Sequence, residues 1–83
     1  MVKLIKKQLN SQKVLYYYQP EGKGDVGLIS YYFNNKEGNK LFCEIMSSIE
    51  DENFTTYRDH AVQELLKFVN EKKYPDEKIV KWY

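Results

Sequence analysis

The chain has 83 residues, a single cysteine and a formal charge of +1, which bounds it to one small domain and excludes an intramolecular disulfide framework. Lysine and arginine number 13 against 12 aspartates and glutamates, so no global field draws in nucleic acid or an anionic membrane and any such binding has to be local. The charge is uneven all the same. Lys3, Lys6, Lys7 and Lys13 make the start basic, whereas Glu44, Glu50, Asp51, Glu52, Asp59 and Glu64 make the middle acidic against Arg58 alone.

Taken in chain order, Val2 to Leu9 alternates lysine with aliphatic residues and reads as a first strand. The same stretch lacks the continuous apolar core of a signal peptide, and no later run reaches the length of a membrane span. With Cys43 unpaired, the expectation is a cytoplasmic protein in a reducing compartment. Val14 to Tyr18 is a second strand of β-branched and aromatic residues, which suit a pleated, packed surface. Gln19 to Asp25 then forms a turn, with Pro20 at its second position and Gly22 and Gly24 free to adopt positive φ. Val26 to Asn34 is the third strand, Asn35 to Lys40 a second turn, and Leu41 to Ser48 the fourth strand.

The period changes after Glu50-Asp51-Glu52. From Phe54 to about Glu71 the residues Phe54, Tyr57, Ala61, Val62, Leu65, Leu66, Phe68 and Val69 recur at spacings of three and four, which predicts an amphipathic helix. Asn53 or Thr55 can cap it, and the acidic run lies at the positive end of its dipole. Pro75 and Asp76 break the chain, and Lys78 to Tyr83 leaves room for a short closing strand. The fold class is therefore α+β: an antiparallel meander of about four strands with one amphipathic helix on one face.

Alternation along strands divides the aromatics between two faces. Pairing Phe33 with Leu41, Tyr31 with Cys43 and Ile29 with Ile45 makes one face wholly apolar, and placing Tyr17 near Ile29 or Tyr31 adds Leu15 and Tyr17 to this seat for the helix. The opposite face then collects Val14, Tyr16, Tyr18, Leu28, Tyr32, Phe42 and Met46, interrupted by Ser30, Glu44 and Ser48. One helix of about 17 residues, some 26 Å long, covers one side only. The second face needs a cover from the C-terminal Val80, Trp82 and Tyr83, from a second copy, or from a partner. A bulge at Gly27 would exchange the faces beyond it.

Catalytic chemistry finds little footing. His60, the only histidine, lies away from the helix's apolar centre and is expected to be an exposed residue between Asp59 and Glu64. The Glu50-Asp51-Glu52 run lacks the convergent oxygens of a hard-metal site. Gly22-Lys23-Gly24 lacks the phosphate-loop spacing and precedes a strand rather than a helix. Cys43 is expected to act as a small hydrophobe. Arg58 falls inside the helix's apolar arc and is expected to reach Glu50 or Asp51, or else to bind an anion. No catalytic residue, metal ligand or cofactor is predicted. The candidate binding residues are Tyr16, Tyr18, Leu28, Tyr32, Phe42, Met46, Arg58 and Trp82.

The segments YYYQPEGKGDVGLISYYF and EDENFTTYRDHAVQEL together resemble a family of short bacterial proteins, some from mobile elements, that have no assigned activity. The resemblance spans half to two thirds of the chain, implies a compact cytosolic domain and transfers no catalytic residue. The order of four strands and a helix is similar, at the level of fold alone, to the single-stranded-DNA-binding transcriptional coactivator fold, which dimerises. That likeness implies base stacking on Tyr16, Tyr18, Tyr32 and Phe42 and phosphate contacts from Lys3, Lys6, Lys7 and Lys13. Glu44 within the patch and the scarcity of basic residues after Lys13 speak against it. The expected function is a non-enzymatic protein-interaction domain, docking a partner or a second copy through its aromatic face, with a small nucleic-acid-binding regulator as the alternative.

Overall fold

The structure is a computed structural model that describes residues 1–33, 43–47 and 56–82. Its elements are β1 (Val2–Leu9), β2 (Lys13–Pro20), β3 (Gly27–Tyr32), β4 (Cys43–Ser47), α1 (Thr56–Glu71) and β5 (Glu77–Val80). The strands form one antiparallel sheet in the order β4-β3-β2-β1-β5. Four strands form the expected meander, and the closing strand takes its place beside β1. The turn at Asn35 to Lys40, the acidic Glu50-Asp51-Glu52, the caps Asn53 and Thr55, the Phe33–Leu41 pair, Phe42 and Tyr83 lie outside the described residues.

Local chemistry sets the connections. Asn10 closes the first hairpin by accepting hydrogen bonds at Oδ1 from the amides of Gln12 and Lys13, at 2.8 and 2.9 Å, the local pairing that suits asparagine to turns. Between β2 and β3 the amide of Lys23 donates to the carbonyl of Pro20 at 3.2 Å. Pro20 holds the expected second position of one turn, in which the amide of Gly22 donates to the carbonyl of Gln19 at 3.1 Å, and the first position of this second, overlapping one. Its two central residues, Glu21 and Gly22, both have positive φ, 54° and 69°, as a type I′ turn requires. Glutamate is an unfavourable choice there, but its side chain accepts a hydrogen bond from the Tyr57 hydroxyl at 3.0 Å, tying the turn to α1.

The core lies between the helix and one face of the sheet. Val2, Leu4, Val14, Tyr16, Tyr18, Ile29 and Tyr31 meet Ala61, Leu65 and Phe68 of α1, with Val62, Leu66 and Val69 packed at the margin. The expected helix is present, its apolar spacing directed into this layer. It ends where Lys72 adopts φ 57°. The amide of Lys73 bonds the carbonyl of Phe68 and that of Lys72 the carbonyl of Val69, at 3.2 and 3.3 Å, the pattern of a Schellman cap with lysine in the place usually held by glycine.

The register of β2 on β3 corrects the expected division of faces. Tyr18 pairs with Gly27, Tyr16 with Ile29 and Val14 with Tyr31, so Val14, Tyr16 and Tyr18 belong to the helix face while Leu15 and Tyr17 belong to the other. The physical reason is Gly27. The Tyr18 ring occupies the space that a Cβ at Gly27 would need, so the ladder fits where a residue without a side chain lies opposite that ring. A slip of one residue reverses every side chain beyond it. The expected pairs Ile29–Ile45 and Tyr31–Cys43 are present in the β3–β4 ladder, and the irregularity there falls between Leu28 and Ile29 rather than at Gly27.

Candidate functional site

Of the residues expected to form a binding face, Tyr16 and Tyr18 are fully buried in the core. The Tyr16 ring packs 5.4 Å from that of Phe68, and its hydroxyl donates to the carbonyl of Pro75 at 2.6 Å. Burial, reinforced by the charge of Asp76 and by Tyr74, raises the Tyr16 hydroxyl far above its ordinary range. Neither ring is available to a ligand. Trp82 is also redirected. Even-numbered residues of β5 face the helix, as the pairing of Val80 with core Val2 requires, and Trp82 continues that row. It stacks on His60 at 4.0 Å with ring planes 3° apart and meets Tyr57 edge-on at 5.6 Å. Trp82 therefore supports the helix and not the other sheet face, and His60 is half-buried against it rather than exposed.

Arg58 is half-buried, with Nε 3.9 Å from Oδ1 of Asp59; its expected partners Glu50 and Asp51 lie outside the described residues. Met46 is the extra residue where the β3–β4 register shifts, since Leu28 pairs with Ser47 and Ile29 with Ile45.

What remains is the sheet face opposite α1. Its described side chains are Lys3 and Ile5 from β1, Lys13, Leu15, Tyr17 and Gln19 from β2, Leu28, Ser30 and Tyr32 from β3, and Glu77 and Ile79 from β5, as the registers dictate. Leu15 and Ser30 sit opposite each other at its centre and are 4% and 0% exposed. Ile5, Tyr17, Leu28 and Tyr32 surround them half-buried. Leu28 and Tyr32 are thus on the face where the sequence placed them, whereas Leu15, Tyr17 and Ile5 are members it assigned elsewhere or passed over. The signal that could have found them was Gly27, read as the partner of a large ring.

The lysines divide between structural and surface duties. Lys6 turns away from this face and binds Asp76 at 2.8 Å and the Tyr74 carbonyl at 3.2 Å, which holds the Asp76 carboxyl below its usual range. Lys3 reaches Glu77 at 3.7 Å. Lys7 and Lys13 stand over the rings of Tyr17 and Tyr32, 5.6 and 5.9 Å from their centroids, within reach of a cation–π attraction. The face is therefore aromatic and aliphatic with positive charge at its margin.

A separate groove of about 680 Å³ opens at the end of α1, floored by Phe68, Tyr74 and Pro75 and edged by Lys67, Lys73 and Lys78 with Glu64 and Glu71. Burial raises the Tyr74 hydroxyl there, with Tyr31 adding to the effect. Among the described residues no three histidine, cysteine, aspartate or glutamate side chains converge as a metal site, and no helix is long and apolar enough to cross a membrane. Comparison with family models, curated proteins and solved structures gives no significant match for this chain.

Proposed function

We propose that this chain is a small interaction domain without catalytic activity, whose helix-free sheet face docks a protein partner in the cytoplasm. The observation that carries this reading is the cluster of Ile5, Tyr17, Leu28 and Tyr32 around Leu15, on a face that α1 does not cover. Half-buried tyrosine and aliphatic side chains around a buried leucine, with lysine at the rim, are the composition of an interface core rather than of an ordinary wet sheet face. Lys7 and Lys13 favour a partner whose apolar patch is bordered by carboxylates.

The test is selection of displayed peptides on the wild-type protein, with the Tyr17→Ser, Tyr32→Ser double variant as counter-target. Apolar sequences flanked by acidic residues, bound by wild type and released by the variant, support the reading. Enrichment that is equal on the two proteins, or none at all, rejects it.

A second reading, single-stranded nucleic acid, is favoured by the two lysine–tyrosine pairs, because stacking rings beside phosphate-neutralising charges are what such sites combine. It ranks lower because Tyr16 and Tyr18 are buried, Lys6 is held by Asp76 and Lys3 lies beside Glu77. Two lysines supply little of the counterion release that dominates nucleic-acid affinity. Anisotropy of a labelled thymidine oligonucleotide across a salt series decides between them: steep salt-dependent binding lost in the same double variant would replace the first reading with the second.

A further inference from the structure

β5 is the edge of the sheet, and its outer side has no backbone partner among the described residues. Which of its groups point outward follows from the ladder. The amide of Lys6 donates to the carbonyl of Asp76 at 2.8 Å, and the pairs Leu4–Lys78 and Val2–Val80 continue the same register. In an antiparallel ladder, hydrogen-bonded and non-hydrogen-bonded pairs alternate. Even-numbered residues of β5 therefore spend their amides and carbonyls on β1 while Glu77 and Ile79 present theirs outward, and Lys81, one residue past the end of β5, extends the same alternation. These three also share one face, the one opposite α1, and Ile79 is 51% exposed there.

The order of the three side chains is self-complementary. A second β5 laid antiparallel with its symmetry axis at Ile79 sets Ile79 against its own copy, Glu77 against Lys81 of that copy, and Lys81 against its Glu77. Each is a pair of residues with outward-pointing backbone groups, so every amide and carbonyl presented by the edge finds a partner. Short length and charged side chains guard a sheet edge, and a charge guards it against its own copy only where it meets a like charge across the pair. Here the charges flanking Ile79 are opposite in sign and equally spaced from it.

From this we propose that two copies of the chain associate through β5, joining their sheets across a twofold axis perpendicular to the sheet at Ile79. Both helices then lie on one side and the two helix-free faces merge on the other. The proposal concerns the edge and does not depend on what docks on the face.

The test is molar mass by light scattering over a concentration series, for the wild type and three variants. Ile79→Pro removes an amide that points outward and leaves the β1 ladder intact; circular dichroism confirms that the variant is folded. Glu77→Lys sets like charges against each other at two positions, and Glu77→Lys with Lys81→Glu restores opposite ones. The expected result is a dimer in the wild type, a monomer in Ile79→Pro, association weakened roughly tenfold or more in Glu77→Lys by two repulsive cross-strand pairs, and recovery in the double variant. A wild type that is monomeric throughout overturns the proposal. So does a dimer that persists in folded Ile79→Pro, or one indifferent to the charge reversal.

Discussion

Truncating adjacent tyrosines of one strand distinguishes the two faces of the sheet more sharply than any other change. Tyr16 is fully buried, packs 5.4 Å from Phe68 and donates a 2.6 Å hydrogen bond to Pro75. Tyr16→Ala removes a ring from the core and strands that carbonyl, and large aromatic truncations of this kind cost about 3–5 kcal/mol. A chain of 83 residues has a net stability of about 4–12 kcal/mol, so this variant stands near the limit of folding in water. Tyr17 is half-buried on the opposite face with Lys7 over its ring. Losing that contact and a partly exposed ring costs about 1 kcal/mol. Urea unfolding followed by far-ultraviolet circular dichroism measures both, and Trp82 fluorescence, sensitive to its stack on His60, gives a second probe. Tyr16→Phe calibrates the hydroxyl at about 1 kcal/mol, the ordinary net worth of a hydrogen bond. Equal costs for the two alanine variants, or a larger one at Tyr17, would refute the register of β2 on β3 and with it the whole assignment of faces.

Three further changes test the backbone and the core. Lys72→Gly relieves a left-handed lysine at the helix cap and is expected to stabilise the protein by about 1 kcal/mol, visible as a rise in thermal midpoint of roughly 4–8 °C. Gly27→Ala forces the Tyr18 ring aside and is expected to cost about 1–3 kcal/mol, as overpacking does, with a parallel fall in the urea midpoint. The third concerns pH. The folded state holds the Tyr16 hydroxyl neutral, chiefly through burial; this contribution is complete below the ordinary tyrosine range near pH 10 and is lost as pH rises toward the elevated folded value. Base titration should therefore destabilise the wild type above about pH 10 more steeply than Tyr16→Phe, as read from urea midpoints at each pH.

Most of the architecture was legible because it rests on period. The lysine–aliphatic alternation of Val2 to Leu9, the aromatic run after Val14 and the three-and-four spacing from Tyr57 to Val69 each name an element, and each element is present. The β3–β4 register was legible too, since placing Ile29 by Ile45 and Tyr31 by Cys43 follows from alternation alone. The β2–β3 register was not. Both rows of β2 are apolar enough to serve as core, Val14-Tyr16-Tyr18 on one side and Leu15-Tyr17 on the other, so hydrophobic pattern cannot choose between them. Steric exclusion at Gly27 does choose, and that information lies in a pairing rather than in the run itself. Trp82 was misplaced for the same reason: its side follows from the β1–β5 ladder, through Val80 opposite Val2, and no local pattern announces that ladder.

The edge and the face are parts of one surface, and this makes their failures separable. Glu77, Ile79 and Lys81 belong to the side of the sheet that carries Ile5 and Tyr17, one strand away across β1. Pairing two β5 edges would extend that side across the twofold axis and give a docking partner two related sites whose separation is fixed by the sheet. A bivalent partner would then bind far more tightly than either site alone, through effective concentration rather than new contacts. Tandem copies of a selected peptide, joined by a flexible linker, would detect this directly: their advantage over a single copy should vanish in Ile79→Pro, whereas single-copy binding should survive there and disappear in the Tyr17→Ser, Tyr32→Ser variant. Loss of single-copy binding in Ile79→Pro would mean that the docking site requires both subunits, and that edge and face cannot be treated as independent functions.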